Sequence, residues 1–592
     1  MKRDSGSCKP DYALVALVGA AAFFSGVVCL SFGFAYDDFW TILDNSYLRD
    51  PDALWGLVNG EASRSRVPDA GRPLMVVQHW VEWRFFGSRS PGYHLVSLLW
   101  HVVCSVLVYV VTLQLWKRQG LAIFAGVLFS FLPIHAEVVA VASFREDSMV
   151  CAFSLLCWYL LILSREKGGG GLLMVTGWLS FFLALASKEA AAVMVVVVPL
   201  CNGVAWRRSP IKEFWEGKSE YLGLACVLGL TLTFRVLILG GVNPYHGPVY
   251  QHAGDMWGAS FFHRFLIAGH VFMQGVGQLF AFGWGQAPEY CEYPEKILSF
   301  WGGVGVVFSV ALFLWSFWAA AKKKLPVLTA GLWFLMITFA PTSNIFWMPN
   351  IRADRFWYLP SVGFCMALAW VFLETGERIF ARERFFFKQK NGNVFLVSLV
   401  IICFLFCAAQ FIGLQRNLST YKNDSTLWQK AARKAPCNHR ALVGGAEVDL
   451  RIGRYERSER RLKRALDIRP GYPPAYQVLG RMRLKQERHQ EAIKWFEKAI
   501  EGGYWRKGAS YLGIGRSYLG LDKLREAEKA FIEALKHDPT DNVSSSVLLH
   551  LARFCGEEKK RESGTCRVGL FAEALGTAIW GKRGEPEEHP RN

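Results

Sequence analysis

The chain has 592 residues, 52% hydrophobic and 20% charged, with 44 Phe, 23 Trp and 19 Tyr. Residues 12–36, 90–116, 301–321, 325–351 and 391–415 contain no Lys, Arg, Asp or Glu, and about 20 apolar residues suffice to cross a bilayer as a helix. A purely soluble enzyme is therefore excluded. The formal charge of +18 is not a nucleic-acid footprint, because much of it sits in short clusters between apolar runs, as cytoplasmic loops do.

In chain order, apolar segments near 12–35, 91–115, 120–143, 148–164, 171–187, 190–206, 220–240, 297–320, 325–344, 356–374 and 392–414 predict about 11 membrane spans. Lys2 and Arg3 precede the first, which is too long for a typical signal-peptide core and is read as an uncleaved span. Segment 264–285 carries Gly269, Gly275, Gly277, Gly283 and Gly285 and is expected to be re-entrant or interfacial. With it left out, Lys117/Arg118, Arg165/Lys167, Arg207/Arg208, Lys322–Lys324 and Arg378–Lys388 fall on one side, the cytoplasmic one, with the N-terminus. Loops 36–90, 241–263 and 344–355 and everything after residue 420 then lie outside. Cys29, Cys104, Cys151, Cys157, Cys226, Cys365, Cys403 and Cys407 lie in apolar segments and are expected as small buried hydrophobes. Cys555 and Cys566 would pair only in an oxidising compartment.

Beyond residue 420 the composition turns polar and repeats appear. Ala465, Ala499 and Ala534 sit in equivalent phrases, and Gly445, Gly480 and Gly515 recur at a step of 35 residues. That period, with small residues at helix contacts and Pro470 and Pro539 closing units, is the tetratricopeptide pattern. Units at 439–470, 473–504 and 508–541 are expected, with Trp495, Phe496 and Phe531 as core and a closing pair at 543–575. The division is thus 1–420 membrane domain, 421–575 repeat domain and 576–592 disordered tail.

Several charges cannot be loop decoration. Asp37 and Asp38 stand where the first span leaves the membrane, placed for a general base or a bound cation. His135 and Glu137 lie in the outer part of the third span, and Arg145, Glu146 and Asp147 at the turn into the fourth. One helix would separate His135 from Asp147 by about 18 Å, so a compact site needs the chain to break. Lys188 and Glu189 add an opposite pair at the same level. His94 and His101 share a face of the second span, with no obvious third ligand for a metal. Arg352 and Arg355, with Asp354 between them and aromatics after, have the form of a phosphate clamp, for which the bidentate guanidinium suits.

The phrases "YDDFW", "GRPL" (71–74), "PGYHLVSLLWH" (91–101), "LPIHAEVVA" (132–140), "SKEAA" (187–191) and "ADRFWYLPSVGF" (353–364), in that order and followed by repeats, resemble the transmembrane and tetratricopeptide-repeat O-mannosyltransferase-like proteins and their bacterial relatives. These lie within the multi-span glycosyltransferases that use lipid-phosphate sugars. The resemblance covers about residues 10–541. It implies an all-α membrane glycosyltransferase fold in the cell inner (plasma) membrane, with catalysis at the first outer loop. It also implies a polyprenyl- or dolichyl-phosphate sugar donor, mannose in the named family, and a hydroxyl acceptor on a protein or glycan, engaged by the repeats.

On that reading Asp38, one residue further from the membrane than Asp37, is the favoured base. Arg352 and Arg355 are the first choice for the donor phosphate, Arg145 and Lys188 the second, and Glu137 and His135 orient the base or the sugar. Asp354, Glu146, Asp147, Glu189, His94 and His101 complete the candidates. A divalent metal between the acids and the phosphate is compatible with the pattern but not demanded by it, and no other cofactor is implied. Two other classes fit parts of the sequence. A lipid or solute transporter would explain the spans and charges but leaves the long first loop without purpose. A non-catalytic scaffold for an envelope complex would use the repeats alone.

Overall fold

The computed structural model describes residues 10–239, 260–291, 300–387 and 392–537, apart from positions 52, 61, 63–66, 68, 170, 347 and 349. The expected closing pair at 543–575, the tail from 576, the Cys555–Cys566 pairing and most of loop 241–263 lie outside the described residues. Every regular element described is helical. The chain divides into two compact units, one ending at Lys430 and the other beginning at Ala431.

In the first unit, Tyr12–Ser31, Ser90–Trp116, Ala142–Glu166, Lys218–Leu237, Phe300–Ala321 and Val397–Tyr421 are long and apolar enough to span. Two bent pairs, Gln119–Phe131 with Pro133–Ala140 (50°) and Glu189–Ala205 with Pro210–Glu216 (108°), bring the number to eight if each is one span. Gly171–Ser187 and Pro326–Thr342 are shorter apolar helices. Among the described residues the chain is thus multi-pass, with six to eight such spans where 11 were expected.

Segment 264–285, expected to be re-entrant or interfacial, holds one continuous helix rather than a re-entrant pair, Phe261–Phe280, started by the Ser260 side chain accepting from the His263 N–H. It lies against Phe300–Ala321 because glycines meet at the crossing. A Cβ on Gly305 would stand 2.4 Å from the Gly269 carbonyl oxygen, and one on Gly269 would stand 2.5 Å from the Val306 nitrogen. Two backbones can approach so closely only where neither carries a side chain.

The 27-residue Ser90–Trp116 helix is roughly 40 Å long, and its two ends define two polar levels. At its C-terminal end Lys117 pairs with Glu166 at 2.7 Å and Arg118 with Glu377. At its N-terminal end stand the breaks and acids of the candidate site. Cys29, Cys104, Cys151, Cys157, Cys365 and Cys407 are buried as expected and Cys403 is half-buried, whereas Cys226 is exposed, beside exposed Leu222 and Leu230 on the same helix.

The second unit contains three helix pairs: His439–Arg451 with Tyr455–Ile468, Pro473–Lys485 with His489–Glu501, and Lys507–Leu519 with Leu524–His537. The recurrent glycines have a steric cause. A Cβ on Gly480 would lie 2.7 Å from the Phe496 ring, and one on Gly515 2.6 Å from the Phe531 ring. At the equivalent place in the first pair stands Arg461, which donates to the Gly445 carbonyl at 2.8 Å and to buried Asp449 at 2.7 Å. Phe496 and Phe531 are fully buried core as expected, but Trp495 is only half-buried and stacks on Tyr476, ring centroids 5.6 Å apart.

Candidate active site

The site begins with two interruptions in the third apolar segment. Pro133 has no N–H and forces the preceding residue out of the helix, so Gln119–Phe131 ends at Leu132 in an extended conformation. A short turn of helix, Ala136–Ala140, follows, and the backbone extends again at Val141. Glu146 and Asp147 then open the Glu146–Glu166 helix, where first-turn acids meet the positive end of the helix dipole. The chain is thus bent by 50° at the first break and extended again at Val141, so no single helix joins His135 to Asp147.

Asp38 holds this break together. It is fully buried, and its two carboxylate oxygens accept from the Ser143 N–H at 2.8 Å and the Ala35 N–H at 3.2 Å. Burial pushes its carboxyl up to about 6, with those N–H donors working in the opposite direction. Asp37 has a different setting. It is half-buried, and its charge acts on both Arg355 and Asp69. The divergence comes from Tyr36, whose φ of 59° places a non-glycine residue in the left-handed region. The strain is held by contacts on the Tyr36 ring: its hydroxyl donates to Glu289 at 2.5 Å, and the ring stacks on Trp428 and meets Phe144 edge-on, each at 5.3 Å. The sequence favours Asp38 as the base, whereas the structure sets it against backbone. Asp38 is committed to backbone, and Asp37 is the acid that faces other charges.

Asp37 is coupled electrostatically to two ionic groups, one built on Lys188 and Arg72 and the other on Arg355. Lys188 reaches both oxygens of Asp147 at 2.7 Å and lies 3.6 Å from Glu146. Arg72 contacts Glu146 at 3.1 Å, Asp69 at 3.4 Å and Glu189 at 3.6 Å. Burial, only partly offset by Arg72, raises the Asp69 carboxyl to about 6. Glu137 binds Arg355 twice, accepting from its guanidinium and, at 2.9 Å, from its backbone N–H. The Arg355 guanidinium also lies 4.0 Å over the Phe144 ring. Burial works against the charge on Arg355, but Glu137, Tyr36 and Asp37 more than compensate and raise its pKa.

Other expected members stand apart. Arg145 is fully buried, and its guanidinium is used up by Glu82, by Ser97 Oγ at 3.0 Å and by the Tyr93 carbonyl at 2.6 Å. It pins the Pro73–Phe86 helix to the Ser90–Trp116 helix. Burial disfavours the Glu82 anion, but Arg145 and His79 outweigh it and hold that carboxyl below its usual range. Arg352 and Arg355 do not form a clamp. Arg352 turns the other way, bonds Gln274 and lies 4.0 Å over the Tyr290 ring, whose hydroxyl donates to Asp354 at 2.5 Å.

The histidines also regroup. His94 packs between Phe32 and Phe34. His101 pairs not with His94 but with His135, ring centroids 5.6 Å apart, and the two bond Tyr358 and Ser361, each at 2.8 Å. This cluster is buried core. Among the described residues no group of three or more His, Cys, Asp or Glu is arranged to hold a metal ion.

Sequence reasoning passed over four participants. Asp69 and Arg72 lie in the long first loop, Arg72 inside the "GRPL" phrase, and carried a signal. Glu82 showed only as an acid on an amphipathic helix. Arg235, an isolated base in the apolar run 220–240, carried the strongest signal of the four, because a charge inside a span needs a partner.

A multi-pass helical unit with a buried ionic network at one polar level, followed by tetratricopeptide repeats, is the class of protein these features define. The tetratricopeptide-repeat family matches residues 444–505 and 508–541. The homologues are protein O-mannosyl-transferases, which are glycosyltransferases. One from Caenorhabditis elegans is 21% identical over 75% of this chain and 61% of its own length. Tmtc1 of Drosophila melanogaster is 25% identical over 79% and 62%, and TMTC4 of Homo sapiens 24% identical over 76% and 64%. The chain thus spans less than two thirds of the length of these relatives. Among solved structures, the archaeal oligosaccharyltransferase AglB from Archaeoglobus fulgidus, in complex with an inhibitory peptide and a dolichol-phosphate, aligns with a TM-score of 0.38. The identity is 12%, over 70% of this chain and 56% of that one, too distant a likeness to bear on the site.

Proposed function

We propose that this chain is a membrane glycosyltransferase that moves a sugar, mannose by analogy with its relatives, from a polyprenyl-phosphate donor to a hydroxyl of an extracytoplasmic acceptor, with protein Ser or Thr as the first candidate. The observation that carries the reading is Asp37: a half-buried carboxylate at the mouth of the first span, electrostatically joined to a buried set of guanidinium, ammonium and carboxylate groups. In the reaction the acceptor oxygen attacks the anomeric carbon and the bond from that carbon to the phosphate oxygen breaks. The acceptor proton passes to Asp37, and the lipid phosphate leaves as an anion. That leaving group needs no proton but does need fixed positive charge, which falls to Lys188 and Arg72.

On this reading Glu137 holds Arg355 toward Asp37, Lys188 and Arg72 face the departing phosphate, and Asp38 keeps the two breaks in register. The protein lies in the plasma membrane with its N-terminus in the cytoplasm, and the repeats, outside, present the acceptor.

The test is single-turnover transfer from a labelled lipid-phosphate sugar, with donor binding measured on the same preparations. Asp37→Asn is expected to lower turnover by about 10²–10⁴ with donor binding nearly intact. Asp38→Asn is expected to act through stability instead. Transfer at the wild-type rate in Asp37→Asn would remove it as the base.

A further inference from the structure

Arg235 is a buried cation that the proposed reaction leaves without a task. It sits near the end of the Lys218–Leu239 helix and is 4% exposed, yet its Nε and Nη2 make no hydrogen bond. Its contact with an acid is to Glu189 Oε2 at 3.8 Å. The same carboxylate lies 3.6 Å from Arg72 Nη2. Both distances exceed a hydrogen bond, so one carboxylate is suspended between two guanidiniums and satisfies neither closely. Glu189 is also the least buried of the four acids in its group: its side chain is 35% exposed, against 21% for Asp69, 11% for Asp147 and 3% for Glu146. With Glu189 displaced, Arg235 has no acid left within 4 Å among the described residues.

The surroundings specify what the arginine pair is for. Thr231 and Arg235, four residues apart, face inward, while Leu230, Phe234 and Leu237 on the other side of the same helix are 72%, 40% and 75% exposed. That outer side is apolar and belongs to a candidate span, so it faces lipid acyl chains. A ligand suited to this place has a tetrahedral anionic head with several acceptor oxygens and a long hydrocarbon tail that stays in the bilayer.

We infer that Arg235 and Arg72 together form the seat for the phosphate of the lipid-linked donor, with Glu189 as a resident carboxylate that the phosphate displaces. The inference rests on the glycosyltransferase reading and moves the phosphate site from the Arg352/Arg355 pair to the arginines around Glu189. A phosphate can accept from both guanidiniums at hydrogen-bonding distance, which the carboxylate does not. Because Glu189 competes for the same donors, its removal should strengthen binding.

The experiment measures binding of a long-chain polyprenyl phosphate to the full chain in nanodiscs, with the corresponding polyprenol and inorganic phosphate as controls. Arg235→Gln should weaken polyprenyl-phosphate binding about 10- to 150-fold, the range for one charge-assisted contact, and Arg235→Lys should restore part of it. Glu189→Gln should tighten binding several-fold. A merely structural ion pair predicts loss or no change in both, so the opposite signs separate the two roles. Unchanged binding in Arg235→Gln, or weaker binding in Glu189→Gln, overturns the seat while leaving the glycosyltransferase reading intact. If the wild-type chain binds polyprenol as tightly as polyprenyl phosphate, the lipid-phosphate reading itself falls. Displacement by inorganic phosphate at matched concentration would show a soluble-anion site and also overturn the assignment.

Discussion

Two adjacent aspartates in this chain do unlike work, and the difference lies in what their oxygens meet. Asp38 accepts two backbone N–H groups, that of Ser143 in the broken third span and that of Ala35 in its own turn. Its cost is visible in pH. Burial raises its folded-state pKa to about 6 from the ordinary 3.8, so the folded chain binds that proton more tightly than the unfolded one. The linkage sign follows: the stability this group contributes is full below pH 4, is lost as pH rises through 4 to 6, and is absent above. The whole drop is on the order of 3 kcal/mol, since one unit is about 1.4 kcal/mol. Thermal unfolding of the wild type between pH 4 and 7 should show this decline. Asp38→Asn should lack that part of it, so its standing relative to the wild type should improve as pH rises through 4 to 6, because the amide carries no charge to bury. An identical slope in the variant would show that another group is responsible.

At the level of elements, glycines set the spacing and the partner ring sets the glycine. Phe496 is fully buried and has a glycine on each side: a Cβ on Gly480 would come within 2.7 Å of the ring and one on Gly513 within 2.4 Å. Replacing a helical Gly by Ala ordinarily gains up to about 1 kcal/mol. Here that gain loses to overpacking, which costs about 1–3 kcal/mol, because a buried ring between two helices has nowhere to move. Gly480→Ala should therefore destabilise the repeats and Phe496→Ala should cost about 3–5 kcal/mol, both read by hydrogen exchange of the second and third helix pairs in the intact chain. Combining Gly480→Ala with Phe496→Leu should recover part of the loss, since the two changes share one contact. Strict additivity would contradict the ring-on-glycine account.

For the molecule as a whole, the two polar levels of the helical unit differ in character. One carries Lys117, Arg118, Arg165 and Arg208 with their acids, and the other carries the network around Asp37. Basic clusters at one level follow the positive-inside pattern, which motivates the proposed orientation, with the catalytic level and the chain after residue 420 outside. A reporter fused after residue 420 should be active only if it works on the extracytoplasmic side. Activity of a cytoplasmic reporter there would invert the orientation and leave the repeats unable to meet secreted acceptors.

What the sequence determined by itself was whatever depends on composition and local period. Apolar runs free of charge made a multi-pass helical protein unavoidable, because backbone groups in lipid must be satisfied within a helix. A step of 35 residues between Gly445, Gly480 and Gly515 made the solenoid legible, because each glycine answers a residue a fixed distance downstream. The phrases around Asp37, Glu137, Lys188 and Arg355 marked a neighbourhood. Which of those side chains meet was decided by the tertiary structure alone. Arg145 and Arg355 read alike in sequence, yet one is consumed by Glu82 and the other is held by Glu137 near Asp37. Arg352 and Arg355 are three residues apart yet face different partners, because the turn between them follows no helical period. Asp37 and Asp38 are separated in role by a single left-handed residue, Tyr36, held there by Glu289 and Trp428, hundreds of positions away. Charge pairing inside a membrane protein is a long-range choice among many candidates, and local pattern supplies the candidates without ranking them.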